Sequence, residues 1–81
     1  MSVQALFFAA YRDLLGTRTL SVDLPAGATV ADLVASLRGR GGPFSALPTE
    51  PAVAVNRAYA LLSETLHAGD EVAFIPPVAG G

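Results

Sequence analysis

The chain contains no cysteine and no tryptophan, all five of its cations are arginines, and it has one histidine in 81 residues. Without cysteine there is no thiolate nucleophile, disulfide or iron–sulfur ligand, and one histidine cannot supply a zinc site. Without lysine there is no Schiff base and no Walker-type phosphate contact. We therefore expect no metal site, and few side chains able to carry out catalysis.

Long apolar runs and concentrated basic charge are also missing. The longest apolar run spans residues 5–11, well below the roughly 20 needed to cross a bilayer, and no basic-then-apolar leader precedes it. The arginines are scattered and the net charge is −2, unlike the footprint of a nucleic-acid binder. The Arg-Gly-rich segment 38–42 is better interpreted as a loop than as an RNA-binding tract. We expect a cytoplasmic protein with no membrane and no nucleic-acid partner.

Apolar residues make up 52% of the chain and charged residues 15%. This balance excludes a disordered chain, and the length allows only one small domain. A domain of this size buries only about 60% of the surface of its unfolded chain. Large apolar side chains should therefore remain exposed, and a partner protein is the usual reason.

The first third of the chain indicates two strands. Residues 3–11 are apolar and aromatic, which predicts a central strand, and residues 19–24 alternate between apolar and polar side chains. Gly16 in the short connection indicates a hairpin between them.

The period then changes to that of a helix. Apolar residues recur at positions 30, 33, 34 and 37, which form one stripe of an amphipathic helix. Thr29 is placed to cap this helix with Asp32 as its capping-box partner. Gly39 is expected to end it in the left-handed conformation.

The remaining residues predict a loop and short strands. Residues 40–51 hold three prolines and two glycines that oppose regular structure, apart from one helical turn near residues 44–47. Short strands are predicted at residues 52–56, 59–62 and 72–75. This order predicts an α+β domain of the β-grasp, or ubiquitin-like, fold: a mixed sheet of four to five strands packed on one main helix. The domain should span residues 1–75, with a flexible Gly-Gly tail at residues 76–81.

The C-terminal segment has an unusual composition. Pro76 and Pro77 stiffen the exit from the last strand, whereas Gly80 and Gly81 offer a backbone without Cβ atoms that fits a narrow channel. Six extended residues reach about 20 Å, enough to enter the active site of a partner. The composition alone leaves a frayed terminus as an equal alternative.

A family resemblance separates these two interpretations. Leu66 together with residues 69–81 closely resembles the C-terminal signature of the small subunits of molybdopterin synthase, which are ubiquitin-like sulfur carriers. Residues 6–9, 12–16 and 55–56 are also similar to that family's pattern. The likeness runs from the first strand to the last residue, whereas the loop over residues 40–51 adds nothing to it.

The resemblance implies that Gly81 is the reaction site. An E1-like adenylyltransferase would use ATP and magnesium to adenylate its carboxylate, and a sulfur-donating enzyme would help convert it to a thiocarboxylate. The molybdopterin synthase large subunit, in a two-plus-two heterotetramer, would use this sulfur on cyclic pyranopterin monophosphate during molybdenum cofactor biosynthesis. The chain itself would bind no cofactor and would act as a non-catalytic sulfur donor. Gly80 would give access to the terminus.

Side-chain parity along the strands predicts the docking surface. Phe8 and Ile75 share strand faces with polar residues, so they should point away from the helix, while Phe7 and Phe74 enter the core. Tyr59, just past a turn, is a third candidate for partner binding. The tail residues are expected to make extended contacts inside the partner; they are Pro76, Pro77, Val78 and Ala79.

Two alternatives remain open at this stage. One is a β-grasp sulfur carrier for another pathway, such as thiamin synthesis, tRNA thiolation or cysteine synthesis. The other is a ubiquitin-like interaction module without covalent chemistry. His67 is expected to be solvated. Asp13, Asp70 and Glu71 could pair with basic groups of a partner, but acidic residues beside turns are usually hydrated and exposed pairs contribute little; among them, Asp70 with Glu71 is the better candidate because it is next to the tail.

Overall fold

One mixed five-stranded sheet organises the chain, whose structure, a computed structural model, describes residues 1–77. The strands are β1 (Ser2–Phe7), β2 (Thr19–Asp23), β3 (Ala52–Val55), β4 (Ala58–Ala60) and β5 (Glu71–Ile75). The helices are α1 (Ala9–Leu15) and α2 (Val30–Arg38), with a 3₁₀ helix over Gly42–Ala46. Neither α-helix in this part of the chain is long and apolar enough to cross a membrane.

The strand order is β2-β1-β5-β3-β4. β1 and β5 run parallel at the centre, and the other neighbouring strands pair antiparallel. This arrangement, with α2 as the main helix, confirms the predicted β-grasp fold. The predicted strands were right in number, and their boundaries differ by one or two residues after α2.

The core lies between α2 and one face of the sheet. The apolar stripe of α2 is buried, with none of its side chains more than 2% exposed. Phe7 and Phe74 enter the same core from the sheet. Their ring centroids lie 5.4 Å from each other, and both side chains are essentially inaccessible. Their predicted place in the core is confirmed. The stripe residues are Val30, Leu33, Val34 and Leu37.

The start of α2 has the predicted cap. The Asp32 backbone N–H donates to Thr29 Oγ1 (3.3 Å), and the Thr29 N–H donates to Asp32 Oδ2 (2.9 Å). The end of the helix differs from the prediction, because Gly39 is right-handed (φ −68°) and the left-handed residue is Gly41 (φ 76°). The last turn tightens, with the Arg40 N–H donating to the carbonyl three residues earlier. Because of this tighter turn, the left-handed residue that redirects the chain is Gly41 rather than Gly39.

The predicted first strand over residues 3–11 is wrong beyond Phe7. At Ala9 the backbone takes a left-handed φ of 47°, and α1 then carries Tyr11 into the core. Gly16 (φ 72°) ends α1 with its N–H donating to the Arg12 carbonyl, so a helix rather than a tight hairpin turn joins β1 to β2. A buried strand and a short buried helix both require an unbroken apolar run, so residues 5–11 could not distinguish them.

Candidate functional site

The sheet face opposite α2, here called the outer face, carries an apolar row across four strands. Residues paired directly across neighbouring strands point to the same side of a sheet. Leu6 pairs with Ala73, Ala73 with Ala54, and Ala54 with Tyr59. The row ends at Tyr59, whose side chain is 81% exposed. An apolar surface therefore crosses the sheet on the side that the helix leaves open.

A second apolar row on the outer face lies two residues further along β5, nearer to its C-terminal end. Ile75 pairs with Ala52 on the outer face. Phe8 follows the last β1 pair, Phe7 with Phe74, and is 51% exposed. Parity thus correctly predicts that Phe8 points away from the core.

The opposite half of the outer face is polar. Gln4 pairs with Ser21 on one side and with Glu71 on the other. Because β5 runs from Glu71 to Ile75, the polar row lies where β5 begins and the apolar rows lie where the chain leaves the sheet. The exposed apolar surface is therefore placed beside the exit of the C-terminal segment.

At that exit, several predicted partner-binding residues line one groove of about 360 Å³. Tyr59, Ile75, Pro76 and Pro77 share it, whereas Phe8 lines a separate cleft near α1. Pro76 is half-buried and Pro77 is exposed. The remaining predicted site residues, Val78, Ala79, Gly80 and Gly81, lie outside the described residues.

The other walls of the groove include residues that sequence reasoning missed. They come from α1 and from the loop before β3: Tyr11, Pro48, Glu50 and Pro51. Burial raises the pKa of the Tyr11 phenol, and the Glu50 side chain is the one acidic group among these residues. The loop residues carry no periodic pattern that could have placed them here.

Leu61 is a further exposed apolar residue that the prediction left out. Its side chain is 76% exposed, and it follows Ala60, the last β4 residue, which pairs with Val53. The sequence could have predicted its exposure, because Leu61 lies two residues after Tyr59 and strand parity puts such residues on the same side of the sheet.

A hydrogen-bonded cluster fixes the start of β5. The Asn56 side-chain amide donates to Asp70 Oδ1 (2.9 Å), and the Glu71 N–H donates to Asn56 Oδ1 (3.0 Å). The His67 N–H donates to Asp70 Oδ2 (2.8 Å). These bonds, that from His67 first and that from Asn56 second, lower the pKa of the Asp70 carboxyl. Asp70 therefore has a structural role.

The reason for preferring Asp70 and Glu71 as a partner contact, their place next to the tail, is wrong. Both residues lie at the start of β5, a full strand away from Pro76. The His67 side chain, as expected, is mostly exposed. Within residues 1–77, no three histidine, aspartate or glutamate side chains form a group that could hold a metal ion.

Comparison with known proteins places the chain in a family. The model of the ThiS family matches residues 5–81. The chain belongs to the ThiS family. It is 39% identical to a Drosophila erecta protein named molybdopterin synthase sulfur carrier subunit, over 100% of this chain and 92% of the relative. A Mycobacterium tuberculosis relative of the same name is 38% identical, over 100% and 99%.

Solved structures share the fold. Small archaeal modifier protein 1 from Haloferax volcanii superposes with a TM-score of 0.86 at 34% identity, and all of both chains is covered. One chain in a Helicobacter pylori complex of subunits 1 and 2 of molybdopterin-converting factor gives 0.71 at 23% identity, also over both whole chains. At that identity the second likeness shows the β-grasp fold alone.

Proposed function

We propose that this chain is the sulfur carrier subunit of molybdopterin synthase. Relatives of that name align with it over almost its whole length at 32–39% identity. The observation that carries the proposal is the place where the chain leaves the sheet toward its C-terminus. The chain leaves β5 at the apolar end of the outer face and continues into Pro76-Pro77 and then the Gly80-Gly81 pair.

In the proposed reaction, Gly81 supplies a carboxylate and the partners supply the catalysis. A carboxylate oxygen attacks the α-phosphorus of ATP, and pyrophosphate leaves to give an acyl-adenylate. A persulfide of the donating enzyme then attacks the carbonyl carbon and AMP leaves, which gives an acyl disulfide. A second thiol attacks the donor sulfur of this acyl disulfide, forms a disulfide with the donor and releases the thiocarboxylate at Gly81. In the synthase this sulfur is transferred to cyclic pyranopterin monophosphate. ATP and magnesium are bound by the adenylyltransferase, and the reactions belong in the cytoplasm, where ATP is available.

The outer face is the proposed docking surface for these partners. Tyr59 and Phe8 expose apolar area that the domain does not bury, and Ile75 connects this area to the tail. Residues 76–79 then make extended contacts inside a partner. Gly80 has no side chain, so the C-terminal segment is narrow enough there to enter a channel of the partner. The Helicobacter pylori structure supports a large-subunit partner, because it is a complex of subunits 1 and 2 of molybdopterin-converting factor. We propose the same pairing here, as a two-plus-two heterotetramer.

Intact-mass spectrometry tests the proposal. After incubation with ATP, a sulfur source and the adenylyltransferase, we expect the mass change of one oxygen replaced by sulfur, located at Gly81 in the C-terminal peptide. A variant with one alanine added after Gly81 is the control; it should fold normally and remain unmodified. An unchanged wild-type mass, with an enzyme preparation that modifies a reference carrier, would contradict the proposal and favour a non-covalent interaction module.

The archaeal relatives favour a second candidate, a β-grasp carrier that serves another pathway. The chain is 37% identical to a Haloferax volcanii protein named small archaeal modifier protein 1, over 91% of this chain. Reconstitution separates the two candidates. The thiocarboxylated chain, mixed with a molybdopterin synthase large subunit, should convert cyclic pyranopterin monophosphate to molybdopterin. A thiocarboxylate that forms but supports no such conversion would favour the other pathways.

A further inference from the structure

A cleft of about 380 Å³ opens between the end of β1, α1 and the start of β2. Apolar side chains form part of its lining, and two arginines from different elements meet there. An adjoining open depression shares Arg12, Arg18 and Thr19 with it. The cleft is lined by Leu6, Phe7, Phe8, Arg12, Arg18 and Thr19.

Backbone hydrogen bonds hold the two arginines in this place. The Phe7 N–H donates to the Arg18 carbonyl (2.8 Å), which fixes Arg18 against the end of β1. The Gly16 N–H donates to the Arg12 carbonyl (2.9 Å), and Gly16 turns the chain back with φ 72°. The end of α1 and the start of β2 therefore bring both arginines to one cleft.

The guanidinium groups of Arg12 and Arg18 make fewer contacts within the chain than those of the two arginines at and just after the end of α2. Arg38 donates from Nε to the Leu47 carbonyl (2.8 Å), and Arg40 lies 5.9 Å from the centroid of the Phe44 ring. By contrast, Arg12 Nε is 3.7 Å from an Asp13 carboxylate that is 78% exposed, and such a pair contributes little. Arg18 makes no ion pair with any residue in the range 1–77.

The cleft is continuous with the outer face, because two of its lining residues belong to that face. Leu6 is part of the apolar row of the outer face, and the exposed Phe8 lies beside the second row. A protein that covers this face also covers the two arginines and removes water from them. Covering a guanidinium group without a counter-charge is costly. Two arginines against one aspartate leave a local excess of one positive charge, which a single carboxylate neutralises.

We propose that the Arg12–Arg18 cleft receives an aspartate or glutamate side chain of the partner protein that docks on the outer face. The guanidinium groups donate to the carboxylate, and Phe8 packs against its aliphatic stem. The inference rests on the proposed function, because the partner that we assign is the molybdopterin synthase large subunit. It adds the charge that this partner must present beside its apolar docking surface.

Calorimetric titration of the full chain with the purified large subunit tests this inference. We expect Arg18→Glu and Arg12→Glu each to weaken binding about tenfold or more at low salt, because like charges then meet. Arg12→Gln should weaken it about two- to fivefold. The matched control is Arg57→Glu, the same charge change at the exposed turn between β3 and β4, which should stay within about twofold. Thermal melts of each variant check folding.

Two further measurements identify the acid. A charge swap, with Arg18→Glu in this chain and the facing acidic residue of the large subunit changed to lysine, should restore binding. NMR titration of the free chain with inorganic phosphate should cause no saturable shift at Arg12 and Arg18. Saturable phosphate binding that competes with the large subunit would instead indicate a site for a small anion, and would overturn the inference.

The outcomes distinguish this inference from the function on which it rests. Wild-type binding that survives both charge reversals unchanged overturns the cleft assignment and leaves the proposed function intact. Failure of the wild-type chain to bind the large subunit, together with an unmodified Gly81, overturns both.

Discussion

Asn56 connects two parts of the sheet through both its backbone and its side chain. It and Arg57 have positive φ values of 49° and 73°, and they join Val55 to Ala58 as a two-residue hairpin loop. That combination is typical of a type I′ turn. The Asn56 side chain then bonds to Asp70 and to the Glu71 N–H, so the turn also fixes the start of β5.

Arg57 is the strained member of this turn. An exposed arginine at φ 73° places a β-carbon in the left-handed region, which is unfavourable, whereas glycine has no β-carbon. We predict that Arg57→Gly raises the free energy of unfolding by about 0.5–1 kcal/mol, after the greater freedom of glycine in the unfolded chain is subtracted. Urea denaturation measures the change. Arg57→Ala keeps the β-carbon and should give no such gain; an equal gain in both variants would mean that charge, not backbone conformation, was responsible.

We predict that Asp70 makes the stability of the fold depend on pH. Its carboxyl titrates at about pH 3.9 in an unfolded chain, and the hydrogen bonds from His67 and Asn56 lower its pKa in the folded protein. Its contribution is therefore fully present above about pH 4 and is lost as the pH falls through the lower folded pKa. Asp70→Asn should reduce stability by about 1–3 kcal/mol at pH 7, and by less at pH 3.

Unfolding curves at several pH values between 3 and 7 provide the measurement. Asp13→Asn is the matched control, because its carboxylate is mostly exposed beside Arg12. If Asp70→Asn and the wild type lose stability in parallel over this pH range, the Asp70 carboxylate is not responsible for the acid sensitivity.

Among the elements, α2 combines a buried stripe with a complete capping box. We predict that Thr29→Ala destabilises the protein by about 1 kcal/mol, because the Asp32 N–H loses its side-chain acceptor. Thr29→Ser keeps the hydroxyl and should restore most of the loss, and Thr49→Ala in the exposed loop should change little. Thermal or urea unfolding compares the three variants. A loss in Thr29→Ser as large as that in Thr29→Ala would point to the methyl group instead.

How far each element could be predicted depended on whether its pattern was distinctive. The stripe and cap of α2 identify a helix uniquely, since no strand places apolar residues at these spacings. α1 has no such pattern, because its seven residues follow β1 without a polar break and the left-handed φ of Ala9 falls on a residue that rarely adopts it. Prediction from the apolar run therefore extended β1 through a helix.

The conformation of the loop before β3 could not be predicted for a different reason. Its fold depends on contacts between distant residues: Leu47 is buried, its carbonyl accepts from Arg38 Nε, and Phe44 meets the Phe7 ring edge-on at 6.5 Å. Composition could indicate a loop but could not place its prolines in the wall of the groove. The outward direction of Ile75 was predictable, because strand parity requires only local alternation.

At the scale of the whole molecule, the two faces of the sheet divide stability from recognition. Phe7 and Phe74 point toward α2 and are buried, whereas their neighbours Phe8 and Ile75 contribute to the outer face. Successive residues at the ends of the central strands thus serve the core and the proposed docking surface in turn. Substitutions on the two faces should therefore separate into those that unfold the domain and those that weaken binding.

Tyr59 provides the sharpest test of this division. Because its side chain is 81% exposed, Tyr59→Ser should change the free energy of unfolding by no more than about 0.5 kcal/mol. Loss of a tyrosine that acts as an interface hot spot costs at least about 2 kcal/mol, so affinity for the large subunit should fall about thirtyfold. Leu14→Ser removes a partly exposed apolar side chain that lines neither the groove nor the Arg12–Arg18 cleft, and it should leave affinity within about twofold. Equal affinities for Tyr59→Ser and the wild type, measured by calorimetry, would place the partner on another surface.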